Sequence, residues 1–275
     1  VEHVNGVVVR VNNVGTVDLD DLQRVLEAAT EEQPITVVSV MAVNNEVGSI
    51  TPMRDVARIV RRYAPNAILH TDAVQAACWV DLREITPLVD ALSLSAHKFG
   101  GPKGVGVMVI KTGKNLEPLI FGGGQERDRR SGTHNVSGII ATAKALEVTD
   151  ATRAEESVRV TKLRDRLVDE IRAQVDGVLE TVPREHRVPG VAHICFSGLE
   201  NEALLFLLDQ ADVYASAASA CASGAMEPSH VLEAMGVERS WSNGALRLSL
   251  GHTTTDAEID LAVSAIVSAV NQLRR

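Results

Sequence analysis

Ala91-Leu92-Ser93-Leu94-Ser95-Ala96-His97-Lys98-Phe99-Gly100-Gly101-Pro102-Lys103-Gly104 is an apolar run that stops on a serine, a histidine and a lysine, then bends through glycines and a proline. Such a run reads as a buried strand, and the bend delivers Lys98 at its end, where open α/β sheets gather their ligand-binding residues. An amine buried there is costly while charged, which suits it to covalent chemistry with a carbonyl cofactor such as pyridoxal phosphate. A lone Lys-Phe-Gly-Gly reads equally well as a surface turn, so the rest of the chain has to decide.

Working outward, residues 7–11 read as a short strand, and Leu19, Leu22, Val25, Leu26 and Ala29 recur at helical spacing before a β-rich run at residues 35–40. Thr51 is expected to cap a helix with Pro52 at its first position and Met53, Val56, Ile59, Val60 and Tyr63 along one face. Further apolar strands fall at residues 67–70, 91–94 and 105–110. Strands without clean alternation, some separated by helices, predict a largely parallel sheet covered on both faces. Beyond it, helices at 137–148 and 153–175, a link at 183–189, strands at 192–196 and 245–250, a helix at 201–211 and a last helix from Thr255 predict a smaller α+β unit. The expected fold class is α/β, with a large domain over residues 1–148 and a small C-terminal domain over residues 149–275.

The 275 residues are 45% apolar, enough for a substantial core, and the net charge of −9 argues against a nucleic-acid or anionic-membrane surface. No stretch approaches the roughly 18 apolar residues of a membrane span. A cytoplasmic protein with no membrane and no direct nucleic-acid partner is expected. The three cysteines form no CxxC pair, so no disulfide framework is expected. Cys78 and Cys195 sit among apolar neighbours and read as small buried hydrophobes. Cys221 instead lies in Ser216-Ala217-Ala218-Ser219-Ala220-Cys221-Ala222-Ser223-Gly224, a run of small residues with little to pack, as in a surface loop. The chain opens on Val1 with no element before its first strand, which reads as an N-terminal truncation.

Four polar clusters fall at or beyond strand ends: Asn44-Asn45-Glu46, His70-Thr71-Asp72-Ala73-Val74-Gln75, Ser95 to Lys98, and Arg247. His70 and Asp72 supply too few donors for a metal, and no metal site is expected. A carboxylate is better used beside a pyridine nitrogen, where it keeps the ring protonated and electron-withdrawing, and Asp72 fits that task. Gln75 and Asn45 could hold a ring hydroxylate, and Ser95 and His97 a phosphate beside Lys98. The mixed run Glu126-Arg127-Asp128-Arg129-Arg130 reads as a loop at a subunit interface rather than a nucleic-acid patch.

Together these motifs resemble the NifS-like cysteine desulfurases of the class V aminotransferase family. Val43 to Gly48, His70 to Gln75, Ser95 to Gly104, Gly122-Gly123-Gly124-Gln125-Glu126-Arg127, Arg130-Ser131-Gly132-Thr133, Ser219 to Gly224, Glu227-Pro228-Ser229-His230 and Arg247-Leu248-Ser249-Leu250-Gly251 all follow the family order. The resemblance implies the pyridoxal-phosphate transferase fold type I, with Lys98 as the covalent cofactor lysine and Asp72 on the pyridine nitrogen. Gln75 and Asn45 would lie by the ring oxygen, and Ser95 and His97 would bind phosphate. Thr133 would reach the phosphate of a neighbouring subunit, implying a homodimer, and Arg247, with Asn45, would bind the carboxylate of L-cysteine. Cys221 would take the sulfur as a persulfide, releasing L-alanine, for transfer to a sulfur-acceptor protein in iron–sulfur assembly or in tRNA or cofactor thiolation. A selenocysteine lyase of the same fold, and an inactive fragment that binds a sulfur acceptor, are the alternatives. The chain departs from the family in Ala217 and Ala218 within the cysteine loop, in Asp128 and His134, and in lacking roughly the first quarter of a typical member.

Overall fold

The computed structural model describes residues 6–114, 116–217 and 229–275. Its first half runs α1 (Leu19–Glu27), β1 (Val37–Met41), α2 (Met53–Tyr63), β2 (Ile68–Asp72), α3 (Leu82–Ile85), β3 (Ala91–Ser95) and β4 (Gly106–Ile110). Then come α4 (Gln125–Asp128), a single turn in which Glu126, Arg127 and Asp128 have positive φ, α5 (Val136–Gln174), β5 (Val178–Glu180), β6 (Val191–Phe196), α6 (Asn201–Gln210), α7 (His230–Ala234), α8 (Arg239–Ser242), β7 (Ala245–Ser249) and α9 (Asp256–Leu273).

β1, β2 and β3 pair in parallel, and β4 runs antiparallel to β3. Parallel neighbours need a crossover, and α2 supplies one, burying Met53, Val56, Ile59 and Val60 in a core that also holds Leu22 and Leu26 of α1 and Leu69 and Leu92 of the sheet. On β2, Leu69 and Thr71 are fully buried, whereas Ile68, His70 and Asp72 on the other face are half-buried. Val37 and β4 from Gly106 to Val109 are exposed. The described residues therefore cover one face of this sheet and not both; an unbroken apolar run cannot distinguish the two cases.

Two local expectations also change. Thr51 Oγ1 donates to Met41 O at 2.7 Å, fastening the loop to the end of β1, while Pro52 takes the cap position of α2 without a side-chain bond. Residues 7–11 make no strand; Val11 forms one isolated bridge, to Val17.

The helices expected at 137–148 and 153–175 are one 39-residue helix, α5, that runs through residues 148 and 149. Ala145 and Leu146 pack on the first core, and Val160, Leu163, Leu167, Val168 and Ile171 build a second one with β6, β7, α6 and α9. Polar bonds fix α5 along the way: Thr149 Oγ1 donates to Phe99 O at 3.2 Å, Arg153 Nε to Ala77 O at 3.2 Å and the buried Arg164 Nη1 to Val188 O at 3.0 Å. The second sheet, β5-β6-β7, is antiparallel, and every residue of β6 is buried.

Candidate active site

Asp72 is the last residue of β2, in register with Met41 on β1 and Ser93 on β3. Its Oδ1 accepts the Val74 N–H at 2.9 Å, setting the turn that carries half-buried Gln75. Among the described residues Asp72 Oδ2 has no hydrogen-bond partner, so one carboxylate oxygen remains for a ligand. His70, on the same face, is hydrogen bonded to Ser39 Oγ through Nδ1 and to Ser93 Oγ through Nε2, both at 2.8 Å. With both ring nitrogens committed, it braces β2 against β1 and β3. Burial lowers its pKa, against the opposing pull of the Asp72 carboxylate.

β3 ends at Ser95, and a 3-10 turn over Ala96–Phe99 presents His97 and Lys98 before closing on Gly100 at φ 82°, a left-handed conformation that glycine adopts without strain. Ser95 Oγ lies 2.9 Å from His97 Nδ1. His97 and Lys98 are both exposed, so the burial expected of the Lys98 amine is not provided by the described residues, which leave this end of the sheet open. Cys78 braces the turn from below, its thiol donating to Lys98 O at 3.3 Å. It is half-buried rather than a core hydrophobe, and burial raises its pKa. Cys195 is fully buried, and its thiol is pushed up to about 12 by burial.

Exposed Asn45 stands in a tight loop after β1. Asn44 Oδ1 accepts the N–H groups of Glu46 and Val47 at 2.8 and 2.9 Å. Gly48, at φ +76°, closes the loop against β6, where an added Cβ would stand 2.8 Å from Val191 Cβ. The loop then grips the second half of the chain twice: Arg247 Nη1 donates to Asn45 O at 3.1 Å, and Ser229 Oγ donates to the buried Glu46 Oε2 at 2.5 Å. The Arg247 backbone exchanges hydrogen bonds of 2.7 and 3.2 Å with Ser216. Ser216 and Ser229 stand on either side of the stretch containing Cys221, and Cys221 itself lies outside the described residues.

The structure thus brings Asp72, Gln75, Ser95, His97 and Lys98 to adjoining strand ends, and joins Asn45 to Arg247. Thr133 is exposed and, among the described residues, makes no hydrogen bond to any of them. Its motif is held by Arg130 Nη1, which donates to Ser131 O and Gly132 O at 2.9 and 2.8 Å. Sequence reasoning gave no task to Glu46, Ser229 or His193. A buried histidine inside Val191-Ala192-His193-Ile194-Cys195-Phe196 was the readable signal for the last; the Glu46–Ser229 bond spans 183 positions and left none.

The donor set fits a phosphorylated pyridine aldehyde. It offers an amine for the aldehyde, a carboxylate oxygen unpartnered among the described residues for the ring nitrogen, and hydroxyl and imidazole groups for phosphate.

A mixed, mainly parallel sheet with these residues at its strand ends, followed by a smaller antiparallel sheet, defines an α/β chain of the pyridoxal-phosphate transferase fold type I. Residues 2–261 match the family described as Aminotransferase class-V, whose members depend on pyridoxal phosphate. The chain belongs to that family. It is 39% identical over 266 residues to the cysteine desulfurase IscS of Clostridium botulinum, covering 96% of this chain and 65% of that protein. To an IscS-like cysteine desulfurase of Mycobacterium tuberculosis it is 41% identical over 250 residues, 90% of this chain and 63% of the relative. The solved structure of a NifS-like protein superposes with a TM-score of 0.85 at 37% identity, covering 96% of this chain and 68% of that one. The chain therefore spans just under two thirds of the length of these curated relatives.

Proposed function

We propose that this chain is the greater part of a cysteine desulfurase that takes sulfur from L-cysteine, releases L-alanine and passes the sulfur to an acceptor protein in the cytoplasm. The observation that carries the reading is the convergence of Asp72, Ser95, His97 and Lys98 on adjoining strand ends, with Arg247 tied to Asn45 beside them. Lys98, Asp72, Asn45, Gln75, Ser95 and His97 would hold pyridoxal phosphate, which when bound would supply an electron sink that labilises bonds at the amino-acid carbons.

The chain's own groups do the rest. Arg247 binds the substrate carboxylate, its Nη1 already fixed on Asn45 O. Asp72, whose Oδ1 is engaged by Val74 N–H, would offer its other oxygen to the ring nitrogen and hold a proton there. The Lys98 amine, anchored on a turn that Cys78 braces, moves protons at the substrate carbons. The Cys221 thiolate forms a bond to the substrate sulfur as the carbon–sulfur bond breaks, and the carbon is protonated to give alanine. On this reading residues 1–148 hold the cofactor, and residues 149–275 carry the sulfur-handling cysteine.

A homodimer is part of the proposal. Leu119, Ile120, Phe121, Val136, Ile139 and Ile140, which flank Thr133 in the sequence, are exposed, apolar area suited to a second copy that receives Thr133 at its phosphate. The deciding assay measures alanine and sulfide formed from L-cysteine with reductant. Lys98→Ala and Cys221→Ala should each lower turnover at least about a hundredfold. Undiminished turnover by Cys221→Ala would remove the nucleophile from the mechanism. Selenocysteine processed with Cys221 dispensable would point to the lyase instead.

A further inference from the structure

His193 is the one polar side chain in β6, and none of its surface reaches solvent. Its Nδ1 lies 3.0 Å from Thr181 Oγ1, and the same hydroxyl donates to the His193 carbonyl at 3.3 Å. A hydroxyl has one proton to give; with that proton on the carbonyl, Thr181 Oγ1 accepts from Nδ1–H. This fixes the tautomer and leaves Nε2 as a bare lone pair, buried and without a hydrogen-bond partner among the described residues.

Directly across the ladder is Arg247, registered with His193 and on the same face of the sheet. Its Nη1 is spent on Asn45 O, while its Nε–H is buried and unpartnered among the described residues. Arg187 also borders this imidazole: its Nη2 donates to Glu180 Oε1 at 3.0 Å, while its Nε and Nη1 are likewise buried without partners. A bare acceptor thus stands among unspent guanidinium donors. Buried polar groups left in that state are expensive, and the complementary pairing relieves both sides.

We infer that His193 Nε2 accepts the Nε–H of Arg247, directly or through one water, making His193 a positioning residue for the carboxylate-binding guanidinium. The inference rests on the desulfurase reading only for the identity of the carboxylate. Held at Nη1 by Asn45 and at Nε by His193, Arg247 loses its rotamer freedom before the ligand arrives and keeps Nη2 for it. Burial and the two neighbouring guanidiniums hold the imidazole neutral, which the pairing requires.

The test has two arms on the full chain. In the first, nitrogen-15 NMR follows arginine Nε–H groups without cofactor, the Arg247 signal being identified by its disappearance in Arg247→Lys. Its exchange with water should be slow in the native chain and at least about tenfold faster in His193→Leu and in Thr181→Val, which frees the tautomer, with His193→Gln restoring protection. Equal exchange in the native chain and His193→Leu overturns the inference, whatever the chain's activity.

In the second arm, L-alanine and ethylamine are titrated into the cofactor-loaded chain. His193→Leu should weaken alanine about tenfold and leave ethylamine, which has no carboxylate, unchanged. Equal weakening of both ligands assigns His193 a purely structural role and overturns the inference. If the native chain binds neither ligand, the desulfurase reading fails, and the exchange arm alone decides the role of His193.

Discussion

Where every other side chain of β6 is apolar, the imidazole of His193 makes stability depend on pH. Burial, with help from the Arg247 and Arg187 charges, pushes its pKa down to about 3. An unfolded histidine titrates near 6.5, so between these values the unfolded chain binds a proton that the folded chain refuses. The contribution is complete above about pH 6.5 and is lost as pH falls, by up to about 1.4 kcal/mol per pH unit towards pH 3. Thermal unfolding of the native chain and His193→Asn between pH 7.5 and 5 should show the native Tm falling more steeply; parallel curves would contradict this account. Gly48 is a second position where one atom matters. At φ +76° and with Val191 Cβ 2.8 Å from where its own Cβ would stand, Gly48→Ala should lower stability by about 2 kcal/mol or more in urea titrations.

Among the elements, the loop after β1 and the cap of helix α7 are joined by a buried hydrogen bond. Glu46 and Ser229 are each 4% exposed, and Ser229 Oγ also caps α7 by accepting the Leu232 N–H at 3.3 Å. Ser229→Ala strips a buried carboxylate of its donor, and a loss of about 2–3 kcal/mol is expected. Adding Glu46→Ala should return part of that loss, because the stranded group is then gone; additive losses would mean the two side chains do not interact.

Most strands were readable because their apolar runs are local, and Asp72 and Lys98 were placed at strand ends for the same reason; the three-residue β5 was not foreseen, and the apolar run at 7–11 makes no strand. The continuity of α5 was not readable. Residues 149–153 are polar but for Ala151 where the helix passes between two cores, and that polarity looks like a break until Arg153 is seen buried with its donor on Ala77 O. The juxtaposition of Thr181, His193 and Arg247 was hidden too, since it depends on the antiparallel register of β6 with β7 and with the residue after β5, which no local pattern encodes.

At the scale of the whole molecule, Trp79 packs against both main cores, and Gly190 leaves room for its ring: a Cβ there would stand 2.2 Å from Trp79 Cζ2. With α5 rooted in both cores as well, neither can loosen alone. Thermal unfolding followed by tryptophan fluorescence and by far-ultraviolet dichroism should give one coincident transition, and two separated midpoints would show the cores melting independently. The uninterrupted α5 also has a mechanical meaning. Tilted about its Arg153 anchor, a rod of this length would sweep its far end by roughly 0.5 Å per degree, given 1.5 Å of rise per residue. Thr149 lies one turn from that pivot and is bonded to Phe99, the residue after Lys98. α5 is therefore a single beam whose middle holds the lysine turn and whose C-terminal half is built into the second core, so the position of that turn is referred to the second core as well as to the end of β3.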